Sequence, residues 1–208
     1  MGRRVALALL AVSLVAAPAA HADADPASDY LIGQGTFIPP DDGIPPAYAD
    51  RLNATVREAK ARGYTIRVAV IGSRYDMGGV TVLYEKPKQY ARFLGQELSL
   101  IYKKPVLVVM PNGLAVSRNG KLAPREQAVV DRIAPPGTNG KALTSTATTA
   151  VIRLAADAGI VIPVPPLAAS GRDSPGSSDN RDRVIIAAAA VAAALLIALV
   201  VLYRRRRL

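Results

Sequence analysis

The side chains best placed to do chemistry lie in one short run, Ser73-Arg74-Tyr75-Asp76-Met77-Gly78-Gly79. It carries a hydroxyl, a guanidinium, a phenol and a carboxylate, and Gly78 and Gly79 let the backbone approach a ligand closely. Two readings of this run are open. As a site, Asp76 would contribute to a hard cation such as calcium, which takes six or more oxygen ligands. Backbone carbonyls and a second carboxylate, Asp131, would then have to join it. As a connector, the run links two elements and Asp76 caps the helical turn that follows.

The residue types that are missing narrow the chemistry. The chain has no Cys, and its single His is His21, near the N-terminus. Triads built on imidazole or thiol, thiol redox chemistry and zinc held by imidazole or thiolate therefore have no ligands in the body of the chain. Carboxylate, Lys, Tyr, Ser or Thr and oxygen-ligated metals remain. Asp41-Asp42-Gly43, set between Pro39-Pro40 and Pro45-Pro46, reads as a turn. Lys103-Lys104, Arg118 and Lys121 read as solvated charges at element ends. Asn53-Ala54-Thr55 matches a glycosylation sequon but falls inside a predicted helix.

An alternation of helices and strands positions the 73–79 run. Pro45-Pro46 opens a helix to about Arg62, with Leu52, Val56 and Ala59 on one face and Gly63 as its stop. Thr65 to Ile71 is rich in β-branched residues and reads as a buried strand. The candidate run follows it, at the carboxyl edge where open α/β sheets bind ligands. Pro87 opens a second helix to about Tyr102, and Pro105 to Met110 is a continuous apolar strand. Pro111-Asn112-Gly113 reads as a type I′ hairpin turn leading to a strand at Leu114–Ser117. Pro124 to Ile133 and Lys141 to Ala158 complete the helices. Ile160-Val161-Ile162 forms a last strand or docks on the core, and Tyr30 to Ile44 reads as an extended lead-in, part of a 23–45 segment. The fold class is α/β: a small mixed sheet with helices on its faces. A right-handed crossover is expected between the two parallel strands.

The ends of the chain carry a topology. Val184 to Tyr203 is a run of 20 residues without charge, followed by four arginines. At about 1.5 Å per residue such a helix crosses the hydrocarbon core. The basic tail, 204–208, is expected on the cytoplasmic side, with everything before Val184 outside. Arg3-Arg4, the apolar Val5–Ala17 and Ala20-His21-Ala22 have the form of a signal peptide over 1–22. Cleavage would start the chain at Asp23; retention would leave a two-span hairpin. Pro163 to Arg183 is polar and rich in breakers, and reads as a disordered linker. Within it Leu167-Ala168-Ala169-Ser170-Gly171 resembles a sortase sorting signal, although Ser170 stands where Thr is usual. The net charge of +10 falls to about +4 once the six arginines of the two ends are removed, leaving 20 cations against 16 anions. The basic isoelectric point is thus mostly a topology signal, and no nucleic-acid motif is present.

The run Ile66–Ser73, Asp76-Met77-Gly78, Lys86-Pro87, Tyr90-Ala91, Phe93-Leu94, Glu97-Leu98 and Val106 to Gly113 resembles the TPM domain over roughly Tyr48 to Ile133. That family includes thylakoid-lumen repair proteins and bacterial exported proteins with a signal peptide, one α/β domain and a C-terminal span. The resemblance implies an α/β ectodomain over 46–162 and, from some members, phosphatase activity or calcium binding. The family's usual Trp segment has no counterpart, since the chain has no Trp. Two functions follow as expectations. One is a membrane-tethered, extracytoplasmic binding or assembly module of the cell envelope, non-catalytic and without a cofactor, working with other envelope proteins. The alternative is a metal-assisted phosphoester hydrolase using calcium.

Overall fold

The computed structural model describes residues 25–40 and 42–167. The segments assigned above to the signal peptide, most of the linker, the membrane span and the basic tail lie outside the described residues. Among the described residues no helix is long and apolar enough to cross a membrane.

Among the described residues, four of the five α-helices begin on a proline. They are α1 (Pro26–Gly33), α2 (Pro46–Ala61), α3 (Pro87–Glu97) and α4 (Pro124–Val130). Proline suits this position because the first-turn N–H has no helical acceptor and φ is already near −65°. The fifth, α5 (Gly140–Asp157), begins instead on an Asn139 cap, whose side chain accepts from the Ala142 N–H at 3.2 Å. A 3-10 segment, Arg74–Leu83, precedes α3 and is kinked at Gly78.

The strands are β1 (Thr36–Phe37), β2 (Arg67–Val70), β3 (Pro105–Met110), β4 (Gly113–Arg118) and β5 (Lys121–Leu122). They form one mixed sheet in the order β1-β2-β3-β4-β5. β1, β2 and β3 are parallel, whereas β4 and β5 each run antiparallel to their predecessor.

Period-two alternation sends the strand side chains to two separate cores. Val68, Val70, Leu107, Val109, Leu114 and Val116 face α2, α4 and α5. Ala69, Ile71, Val106, Val108, Met110 and Ala115 face α1, α3 and the 3-10 segment. The central β3 is buried at every residue, which explains its unbroken apolar sequence. The steps β1→β2 and β2→β3 cross the sheet in the same direction, the first by α2 on one face and the second by α3 on the other. Two such steps have opposite hands. One of them departs from the right-handed rule, which rests on strand twist and is weakest for the two-residue β1.

The structure corrects three expectations. The lead-in is not extended: it holds α1, capped by Asp25, and β1. The second helix stops at Glu97, and a looser turn carries the chain to Tyr102. The β3–β4 turn is not type I′. Its two central residues are Pro111 and Asn112, because Met110 pairs with Gly113, and proline cannot take positive φ. The type I′ turn lies at the next hairpin, where Arg118 pairs with Lys121 and both central residues, Asn119 (φ 51°) and Gly120 (φ 73°), are left-handed. Of the two readings of Ile160–Ile162 the structure takes the second: no strand forms, and the buried Ile162 docks on the α2/α5 core.

Candidate functional site

The 73–79 run lies beyond the carboxyl end of β2, as its position in the chain requires. It is a wound 3-10 segment and not an open loop. Asp76 builds it: Oδ2 accepts from the Gly72 N–H at 2.9 Å and the Ser73 N–H at 2.8 Å. The Ser73 N–H is the cap donor of the helical turn, to which Asp76 reaches back from the third position as the acid of a capping box, and a carboxylate there is also favourable against the helix dipole. Asp76 is buried by this duty, and so is Met77 beneath it. Arg74 and Tyr75 are turned outward, with Tyr75 89% exposed. Gly78 sits at φ 51°, ψ −121°, a conformation open essentially to glycine alone. Gly79 has no such requirement, since its φ is not positive.

The carboxylate that lies against the start of this run is Asp42, whereas Asp131 is engaged elsewhere. Asp131 ends α4, where it pairs with Lys88 at 3.7 Å and accepts from the Gln127 carboxamide at 2.8 Å. Asp42 belongs to the turn before α2, and it lies against Gly72. A Cβ at residue 72 would fall 2.0 Å from Asp42 Oδ2. The same turn is wedged against the start of α5, where a Cβ at residue 140 would fall 2.7 Å from the Asp42 carbonyl oxygen. Gly72 is therefore touched by two carboxylates, Asp42 over its Cα and Asp76 on its N–H.

Tyr84 closes the cluster by donating its hydroxyl to the Gly72 carbonyl at 3.0 Å. Burial pushes its phenol above the usual range, and the Glu85, Asp42 and Asp76 carboxylates push it the same way. Glu85 is itself left-handed (φ 58°), and Asn112 holds it by donating to its carbonyl at 2.5 Å. Chain proximity alone could find Ser73 to Asp76. Asp42 reaches them from 30 residues earlier in the sequence, and the only local hint was a glycine at the strand end, Gly72.

The fit to calcium is limited. One oxygen of Asp76 is already engaged by two N–H groups, and Asp131 is held by Lys88 and Gln127. Among the described residues no three carboxylates converge as metal ligands. The sequon at Asn53 is closed to modification in the folded chain. Asn53 accepts from the Thr36 hydroxyl, and Thr55 is fully buried with its hydroxyl bonded to the Arg51 carbonyl at 2.8 Å.

A cleft of about 310 Å³ lies between α2 and α5, lined by Arg51, Ser145, Thr149, Arg153 and Val164 among others. The Thr149 hydroxyl is committed to the Ser145 carbonyl at 3.0 Å, so the cleft offers two guanidinium groups and few free hydroxyls.

The close packing at Gly72 gives a direct prediction. Gly72→Ala forces the Asp42 carboxylate to swing off Gly72 and is expected to cost about 1 kcal/mol, the low end of overpacking. Urea denaturation reads it, and an unchanged midpoint would mean that the Asp42 carboxylate contributes nothing where it lies against Gly72. No protein-family model, no curated protein and no solved structure matches the chain.

Proposed function

We propose that the chain is a membrane-tethered, extracytoplasmic binding or assembly module of the cell envelope, and that the carboxyl edge of its sheet is the contact surface. One observation carries this reading: Arg74 and Tyr75 stand exposed on a turn whose base is fixed by Asp76. Arg and Tyr are the residue types that most often anchor protein interfaces. Holding them on a rigid turn lowers the ordering cost of binding. The apolar run Val184–Tyr203 is the proposed tether, with the four arginines inside, and the partners are other envelope proteins, not nucleic acid. The resemblance to the TPM domain supports the same placement.

The second reading is metal-assisted phosphoester hydrolysis with calcium. It is favoured by the meeting of Asp42, Asp76 and Tyr84 at Gly72, with Asp42 in the role first given to Asp131. One comparison separates the two. The full chain and its Arg74→Ala/Tyr75→Ala variant are cross-linked in membranes, and their melting is followed with and without calcium. The binding reading expects partner recovery to fall at least about tenfold, as loss of one anchor residue does, with no change in melting. Retention of every partner removes the edge as the contact surface. A protein that binds calcium when folded must melt higher as calcium rises. Such a rise, lost in Asp42→Asn, together with phosphatase turnover abolished by chelator, would favour the hydrolase.

A further inference from the structure

The opposite edge of the sheet, where the parallel strands begin, brings cations and exposed apolar side chains together. Strand register fixes the arrangement. Arg67 opens β2 and pairs with Val106, and Lys103-Lys104 lead directly into Pro105, which pairs with Arg118. Arg118 in turn pairs with Lys121 across the Asn119-Gly120 turn. A row of basic residues therefore runs across one end of the sheet. Glu58, Glu126 and Asp157 neutralise Arg62, Arg118 and Arg125 at this end. Lys103, Lys104 and Lys121 are exposed.

Beside these lysines stands the most exposed large aliphatic residue among the described residues. Leu100 is 93% exposed and Ile101 57% exposed, on the irregular turn between α3 and β3. The turn is held from behind. Tyr102 is buried and donates to the Pro105 carbonyl at 3.2 Å, and the Arg67 guanidinium stacks over its ring at 4.0 Å. Arg67 also donates to the Ile32 carbonyl at 3.1 Å, tying the end of α1 to the same place. The two aliphatic tips thus stand on a fixed base, flanked by two free ammonium groups.

We infer that this end of the domain docks on an anionic lipid bilayer, with Leu100 and Ile101 entering the interface and Lys103, Lys104 and Lys121 meeting the headgroups. Charge complementarity points to this occupant. Basic residues are attracted to anionic lipid, and exposed aliphatic side chains gain from leaving water in the headgroup region. A polar wall polymer would have no use for the aliphatic tips. The inference rests on the tethered reading, which keeps a bilayer within reach of the domain.

The absence of cysteine makes the test clean, because one introduced thiol carries one dye. Full-length chain bearing an environment-sensitive dye at Leu100→Cys is reconstituted in vesicles of phosphatidylcholine alone, or with one third phosphatidylglycerol. A second label at Thr81→Cys, on the segment beyond the opposite edge, reports non-specific burial. The expected result is an emission shift to shorter wavelength at position 100 on anionic vesicles only. It should be lost in Lys103→Glu/Lys104→Glu, which lowers the docked fraction ratio by at least about thirtyfold, and weakened in 1 M salt. A label that stays in water on both vesicles, or shifts equally on both, overturns the proposal. So does a shift that survives the double substitution. Flotation with neutral vesicles reads the tether separately. A chain that floats only with anionic vesicles, and not after the lysine substitutions, keeps the docking and loses the tether.

Discussion

Gln127→Leu is expected to destabilise the domain by on the order of 4 kcal/mol, because it would strip a strand of its substitute partner. β5 is only two residues long and covers β4 at Ser117 and Arg118. Two residues further along, the outer edge of β4 has no strand beside it. The Gln127 carboxamide fills that place as a peptide group would: Oε1 accepts from the Val116 N–H at 3.0 Å, and Nε2 donates to the Leu114 carbonyl at 3.2 Å. Its second amide hydrogen goes to Asp131 at 2.8 Å. Leucine matches the size but offers neither group, so a buried donor and a buried acceptor lose their partners at about 1–3 kcal/mol each. Gln127→Glu keeps the acceptor but turns a carboxylate oxygen toward the Leu114 carbonyl, so it should be comparably harmful at pH 7. Urea denaturation of the two variants measures this. A loss below about 1 kcal/mol for the leucine variant would show that water can serve that edge.

The three Asn-Gly pairs of this chain show how far local sequence carries. Asn119-Gly120 forms the type I′ hairpin that the dipeptide favours. Asn112-Gly113 does not, because Pro111 shifts the turn one residue earlier, and Asn112 spends its side chain on the Glu85 carbonyl. Asn139-Gly140 is a helix start, with Asn139 as cap and Gly140 admitting the 42–44 turn. The dipeptide states only that the chain can turn left-handed there; the neighbours decide whether it does. Prolines were more reliable signs, since the missing N–H and fixed φ act within the residue itself. The 3.6-residue stripes of α2 and α3 and the unbroken β3 were legible for a related reason: they record how many faces of an element are covered. Asp25-Pro26 carried the same start signal as the other helices. It was lost in a segment whose breakers, Gly33, Gly35, Pro39 and Pro40, suggested an extended chain.

The candidate site divides in the same way. Asp76 lies three residues after Ser73, the spacing of a capping carboxylate, and it does cap. Which second carboxylate comes near it is a question of tertiary contact. Asp42 arrives through the packing of one turn against two glycines, Gly72 and Gly140, and neither contact leaves a periodic trace in the sequence.

Tyr90→Phe should be the most informative single-atom change, with a loss of about 3 kcal/mol at pH 7. Tyr90 is fully buried, and its hydroxyl donates to Asp25 Oδ1 at 2.6 Å across 65 residues. Asp25 is also buried, and its other oxygen caps α1 by accepting from the Ser28 N–H at 3.1 Å. Burial drives the Asp25 carboxyl above its usual range despite the bonds from Tyr90 and Ser28, which pull it down. The folded value therefore exceeds the unfolded one. The contribution of Asp25 to stability is full below about pH 3.9 and is lost as pH rises through the folded value. Removing the Tyr90 hydroxyl takes away a bond to the charged form, which costs more than a neutral one. It also moves the folded value still higher, so the deficit of Tyr90→Phe should be larger at pH 7 than at pH 4. Asp25→Asn separates the two effects. Asparagine can still cap the helix through Oδ1, its Nδ2 can donate to the Tyr90 oxygen in place of the bond Asp25 accepts, and it has no charge to bury. Its stability should be close to that of the unaltered chain at pH 7, and its pH profile should lack the Asp25 contribution. Equal deficits for Tyr90→Phe at both pH values would mean that Asp25 is not charged against Tyr90 in the folded chain, and that the hydroxyl contributes only as a neutral hydrogen bond.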